Sequence, residues 1–368
     1  MGSDGDYFYY YENETNLTFN DSFHLPVCSD SNLHGSHIFL PLLYYIIFFT
    51  GFLGNLFVIS VVGAKGKRNA RLVDTFVVNL AVADLVFVFT LPLWAISASQ
   101  NNHWNFGNAG DSLCKLSSYI IAVNRFSNIF FLTCMSIDRY MAVVNLMDLR
   151  YLRSSLCIRV TCAAVWFISL LLGIPSLVFR KVIVQDDDMS YCVEESTTFL
   201  RVMNLLMALL TFVFPVLIIV LCYGTLIMHL NKHCVTAGNP RAEARRRHSL
   251  KMVLCIIVAF VVSWLPFNIF KTITIVWELV WDKSCQPLWQ RAGLVLSCCL
   301  AFFNSCVNPA IYFFLDHHFK RRAKYMYNTC LRTSKIQHSY NSSASFTNAG
   351  TSESYGTTGG RTQLQMFV

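Results

Sequence analysis

The sequence predicts an all-α membrane protein: a seven-transmembrane helix bundle with a short amphipathic eighth helix. Three observations predict it. Of the 368 residues, 54% are hydrophobic and only 14% charged. Seven apolar runs follow one another, each long enough at about 1.5 Å per residue to cross a hydrocarbon core of about 30 Å. Basic residues fall in the segments that a chain crossing seven times would leave on one side. The 30 phenylalanines and a mean hydropathy of +0.45 exclude an ordinary soluble domain.

Residues 1–36 read as a disordered outer tail, acidic and rich in Tyr, without the apolar run of a cleaved leader. The first apolar segment is therefore expected to insert itself. Asn13, Asn16 and Asn20 each begin an Asn-x-Ser/Thr sequon, which glycosylation uses only on an exposed lumenal segment. Tyr7, Tyr9, Tyr10 and Tyr11 lie among Asp4, Asp6, Glu12 and Glu14, a setting that suits either sulfation or an unmodified tail.

The apolar runs cover 37–64, 72–98, 111–144, 156–179, 197–231, 248–279 and 288–315. Residues 1–64 hold no Lys or Arg, whereas Lys65, Lys67, Arg68 and Arg71 follow at once, so the N-terminus is expected outside. Arg241, Arg245–Arg247, Lys251 and Lys320–Arg322 with Lys324 then fall on the inner side. The net charge of +8 is thus topology, with no nucleic-acid partner implied. Residues 37–327 are read as the seven-transmembrane domain with its eighth helix. Residues 328–368 are read as a disordered cytoplasmic tail, rich in Ser and Thr that kinases can phosphorylate. At the end of the first of these, the amphipathic piece 313–327 suits a helix on the inner membrane face, and Cys330 beyond it is a palmitoylation candidate.

The third run organises the chain. It carries Cys114 at one end, Asp138-Arg139-Tyr140 at the other, and Arg125 between them, where a guanidinium costs about 2.5–3.5 kcal/mol. Either a ligand or Asp84 must answer that charge. Asp84 is the acidic residue deep within a span, and Asn124, Asn128, Asn304, Ser305 and Asn308 offer oxygens near it. The set suits a small cation such as Na⁺ or a hydrogen-bonded network with water. No other cofactor is expected. Pro92, Pro175, Pro215, Pro266 and Pro309 lie inside spans, where each removes a helical hydrogen bond and favours a kink.

Fourteen cysteines divide by side. Cys28, Cys114, Cys192 and Cys285 fall outside and allow two bridges; the others read as small packing residues. Enzymatic chemistry has no support, for no nucleophile–base pair, metal-spaced cluster or phosphate loop is present. A channel or transporter is the reading of another class, against which stand the lack of inverted pairing and the solitary Asp84.

These residues, in order, resemble the rhodopsin-like (class A) G-protein-coupled receptors over 37–327. The resemblance rests on Gly54-Asn55, Asn79-Leu80-Ala81-x-Ala83-Asp84, Cys114, Asp138-Arg139-Tyr140, Trp166, Pro215 with Tyr223, Phe260-x-x-x-Trp264-x-Pro266 and Asn308-Pro309-x-x-Tyr312. Ser263 departs from the family, which usually has Cys there. Thr90–Trp94, His103-Trp104-x-Phe106-Gly107 and the Cys28/Cys285 pair resemble the chemokine, angiotensin and apelin receptor branch. Arg71–Phe76 and Leu113–Ser118 resemble an orphan receptor within it.

The resemblance implies bridges Cys114–Cys192 and Cys28–Cys285. It also implies a switch in which Arg139, held by Asp138 at rest, is freed as Tyr140, Tyr223, Trp264, Pro309 and Tyr312 rearrange. A heterotrimeric G protein would fill the opened inner cleft; arrestin and a receptor kinase would act at the tail. An atypical, scavenging chemokine-type receptor is the alternative within the family, against which the intact Asp138-Arg139-Tyr140 argues.

The expected ligand-binding set is Trp94, Tyr119, Arg125, Arg201, Trp264, Asn268, Lys271 and Arg291. No Asp lies between Ser112 and Ile137 for an amine, and no Lys lies in 292–315 for retinal. The chemokine receptors' Glu in the last span is also missing, where Leu296–Leu300 stand. The cavity reads as basic, and the acidic tail, Asp186–Asp188 and Glu194-Glu195 read as its rim. An acidic rim steers a cationic peptide or chemokine-like protein, and a basic floor grips a carboxylate.

Overall fold

The computed structural model describes residues 35–63, 72–144, 154–184, 189–195, 197–233, 240–281 and 287–329. Seven of its helical stretches are long and apolar enough to cross a membrane, so the chain is a multi-pass membrane protein. Asn13, Asn16, Asn20, Cys28, Asp186–Asp188, Cys285, Cys330 and the Ser/Thr-rich tail lie outside the described residues.

The first span is α1 (Ser36–Gly63). The second, read from the sequence as one helix, is two: α2 (Leu72–Val88) and α3 (Leu91–Ser99). Pro92 has no N–H to donate backwards, and the Thr90 hydroxyl donates to the Phe87 carbonyl at 2.8 Å, closing the turn between them. The third span is α4 (Gly110–Val144), and the fourth is α5 (Ser155–Val178), capped where the Ser154 hydroxyl accepts from the Cys157 N–H at 3.1 Å.

A two-stranded hairpin follows, β1 (Arg180–Val184) antiparallel to β2 (Ser190–Glu194), with Arg180 opposite Glu194 and Val182 opposite Cys192. The fifth span is α6 (Thr198–Ala208), a π-helical segment Leu209–Val213, and α7 (Phe214–His233). Pro215 leaves the Thr211 carbonyl without its helical donor, and the wider π turn sits directly before it. α8 (Pro240–Trp281) and α9 (Leu288–Leu315) complete the seven, and α10 (residues 317–329) follows Asp316, whose carboxylate accepts from the His318 N–H at 2.8 Å.

α4 is the axis. In its apolar stretch 61% of residues are buried, against 22% in the fifth span, and it touches α2, α5, α7 and α8. The main core runs around it through Phe76, Leu80, Ile129, Leu132, Phe260 and Trp264; a second core joins α1, α2, α3 and α9 through Ile47, Phe87, Leu91 and Phe302. Large apolar side chains such as Phe167, Leu217 and Leu221 point outward, as helices surrounded by lipid require.

Candidate functional site

A cavity of about 580 Å³ opens among the helices at the Cys114 end of the bundle. Its lid is the hairpin: Cys114 of α4 is bonded to Cys192 of β2, with 5.7 Å between their Cα atoms, which pulls β2 across the helix ends. The buried Trp104 fastens the other side, donating from its indole to the Gly110 carbonyl at 2.8 Å, while its backbone N–H donates to Ser190 at 2.7 Å.

Of the expected ligand-binding residues, Trp94, Arg125, Trp264, Lys271 and Arg291 line this cavity together. Three do not, and each has a reason. The Tyr119 hydroxyl donates to the Leu170 carbonyl at 3.2 Å, and its ring lies where Gly173 of α5 leaves room, so it faces the fourth span. Arg201 pairs with Glu278, Nε to Oε2 at 3.1 Å, tying α6 to α8. Asn268 donates to the Trp264 carbonyl one turn back at 2.8 Å.

Two lining residues that the sequence did not mark as ligand-binding matter equally. Arg180, the first residue of β1, carries no mark in the sequence that points to the cavity. Glu194 was read as rim, yet it sits in the wall because the disulfide draws β2 inward. Its Oε2 accepts from Lys271 Nζ at 2.7 Å and its Oε1 from Asn204 Nδ2 at 3.0 Å. Burial alone would push the Glu194 carboxyl up; Lys271, Arg180 and the two hydrogen bonds overcome that and hold it at about 2. Arg125, Arg180, Lys271 and Arg291 thus face a single carboxylate among the described lining residues.

At the floor, the Arg125 guanidinium stands 4.7 Å from the Phe126 ring centroid and its Nε is buried without a hydrogen bond. No ion pair of Arg125 occurs among the described residues. In particular, Asp84 does not answer it. The Asp84 Oδ1 accepts from Asn124 and Asn128, both at 2.9 Å, and from Ser305 at 2.8 Å; its Oδ2 accepts from Asn308 at 3.0 Å. Asn304 is buried nearby but makes no bond to Asp84. The Oδ1 atoms of Asn128, Asn304 and Asn308 are buried without donors, oxygens of the kind a small hard cation takes.

Between cavity and far end, Trp264 packs on Phe260 and edge-on against Phe267, with ring centroids 6.0 and 5.8 Å apart. At the far end Arg139 lies 3.6 Å from Asp138, and Tyr140 is half-buried. Tyr223 and Tyr312 are both buried with hydroxyls that have no hydrogen bond, and Pro309 is buried above Tyr312 on α9.

Residues 54–312 match the family described as 7 transmembrane receptor (rhodopsin family). The probable G-protein coupled receptor 25 of Mus musculus, the orphan that Arg71–Phe76 and Leu113–Ser118 resemble, is 39% identical over 81% of this chain and 81% of its own. G-protein coupled receptor 15 of Mus musculus is 37% identical over 82% of each chain, and apelin receptor B of Danio rerio 33% identical over 84% and 88%. With the ordered motifs, the seven spans and a disulfide-lidded cavity above the central helix, the chain belongs to the rhodopsin family of seven-transmembrane receptors, a receptor and not an enzyme.

Proposed function

We propose that the chain is a plasma-membrane receptor, N-terminus outside, for a cationic peptide or chemokine-like protein that inserts a carboxylate toward Arg125. The observation that carries this reading is the buried Arg125 at the cavity floor, without an ion pair among the described residues. A guanidinium in low dielectric favours a carboxylate that it can grip with two parallel N–H bonds. One of the relatives, apelin receptor B, supports a peptide as the ligand class.

Arrival at Arg125 and Trp264 would shift α8 about Pro266, release Arg139 from Asp138, and bring Tyr223 and Tyr312 inward. A heterotrimeric G protein then binds the opened inner end. Agonist and G protein favour one state, so each tightens the other's binding. Arrestin and a receptor kinase act at the phosphorylated tail, and Asp84, with Asn124, Asn128, Asn304, Ser305 and Asn308, would hold a small cation such as Na⁺ by its oxygens. A scavenging receptor would bind arrestin without nucleotide exchange, and a G-protein dissociation assay separates the two.

The test is a concentration–response series of basic secreted peptides, each as the free acid and the C-terminal amide, on wild type and Arg125→Ala. The free acid of the active peptide is expected to be at least about tenfold more potent than its amide on wild type, and Arg125→Ala to erase the difference. Equal potency on wild type would remove the carboxylate from the mechanism.

A further inference from the structure

The cavity already contains a carboxylate, and its surroundings are those of a bound ligand. Glu194 reaches in from β2, two residues after the disulfide cysteine. Its two oxygens are shared between two different spans: Oε2 takes the Lys271 ammonium of α8 at 2.7 Å, and Oε1 takes the Asn204 amide of α6 at 3.0 Å. Arg180 lies directly opposite it in the hairpin and lines the same cavity.

Side-chain exposures of 28% for Glu194 and 32% for Lys271 leave the pair open to the cavity rather than sealed in the core. A group entering the cavity can therefore reach Lys271. Two cations, one neutral donor and an open approach form a carboxylate subsite whose present occupant is tethered to the lid.

We propose that Glu194 is a resident competitor: it fills a carboxylate subsite made by Lys271, Asn204 and Arg180, and a ligand's carboxylate enters by exchanging with it. This rests on the reading of the cavity as the receptor's ligand site. Exchange frees β2 from α8 without leaving Lys271 unpaired, since one carboxylate replaces another. A neutral end leaves Glu194 in place, because displacing it would strip the half-buried Lys271 ammonium of its counter-charge. Glu194 thereby blunts the advantage of an acid end over an amide at this subsite, since an entering carboxylate gains at Lys271 only what Glu194 gives up, and leaves the discrimination to Arg125.

The subsite can be tested without knowing the natural ligand, using acetate as the probe. In Glu194→Ala the side-chain carboxylate is gone and the three donors remain. Sodium acetate at about 100 mM should raise the Tm of the purified full-length variant in nanodiscs by about 3 °C over sodium chloride of equal ionic strength. Acetamide should not, and neither wild type, whose subsite is filled, nor Glu194→Ala/Lys271→Met should respond. Equal acetate effects on wild type and Glu194→Ala, or none on either, would overturn the proposal.

Should Glu194→Ala fail to fold, Glu194→Gln keeps the shape and loses the charge. The acid-to-amide potency ratio of the active peptide should then rise about tenfold over wild type, and an unchanged ratio would overturn the proposal. Acetate rescue together with equal potency of acid and amide on wild type supports the subsite, and refutes only the insertion of a peptide's carboxylate.

Discussion

Arg322 of α10 reaches Asp74 in the first turn of α2, Nη1 to Oδ2 at 2.7 Å, with only 12% and 3% of the two side chains exposed. The pair fixes the last helix to the bundle at a place where its aromatic neighbours also close. Phe319 is buried beside Phe57 and Tyr312, with ring centroids 5.7 and 6.4 Å away.

Removing one member of such a pair takes from the other charge a close partner in a largely buried place. Asp74→Ala and Arg322→Ala are each expected to lose about 3 kcal/mol of stability, read as thermal unfolding in detergent. The double variant should lose clearly less than the sum, because the interaction between the two side chains can be lost only once. Strict additivity would mean that the two side chains do not depend on each other.

Four donors converge on Asp84, and three amide oxygens around it lack donors. Exchanging about 150 mM NaCl for N-methyl-glucamine chloride is expected to lower the Tm of the wild-type protein by about 2 °C, as loss of a weakly bound cation does. Asp84→Asn should show no such shift. A wild type indifferent to the cation would make the cluster a purely internal network.

Glu194 gives a pH prediction with a definite sign. Its carboxyl is held at about 2, below its ordinary value of 4.5, so its contribution is complete above about 4.5 and fades as pH falls toward 2. The Tm difference between wild type and Glu194→Gln is therefore expected to stay constant from pH 5 to pH 8 and to shrink only under more acid conditions. A difference that vanishes between pH 5 and 6 would show that Lys271 does not hold the carboxylate as the geometry requires.

The seven spans and the order of motifs were legible because lipid imposes a long apolar run on every crossing, whatever the helix packs against. Asn124 and Asn128 could be read as partners because they lie one turn apart on one helix. What a sequence run does not contain is the rotation of a helix about its axis or a partner from another element. Tyr119 and Arg125 lie in the same helix, yet one turns to Leu170 and the other to the cavity. Arg201 carries a charge as visible as that of Lys271, but Glu278 holds it out of the cavity wall. Glu194 was misplaced to the rim for a related reason: its position depends on the Cys114–Cys192 bond, which joins residues 78 apart. The breaks at Thr90 and Leu209–Val213 had signals in Pro92 and Pro215, although proline alone does not tell a kink from an interruption, as the unbroken α8 through Pro266 demonstrates.

Gly293 sets how closely α8 and α9 approach. A Cβ at this position would fall on the edge of the Phe270 ring, which cannot bend away as a long flexible chain would. Gly293→Ala must turn the ring out of the seam or part the helices, and overpacking of this kind costs about 1–3 kcal/mol. Gly224, in the middle of α7, is the control: a Cβ there meets nothing within 4 Å, so Gly224→Ala should hold or raise stability, by up to about 1 kcal/mol. Phe270→Leu should restore part of what Gly293→Ala loses, since it removes the ring edge that the new methyl strikes. Parallel melts of the four proteins check this, and a Gly293→Ala curve that coincides with that of Gly224→Ala would show that the seam tolerates the methyl and that the close approach is not what Gly293 supplies.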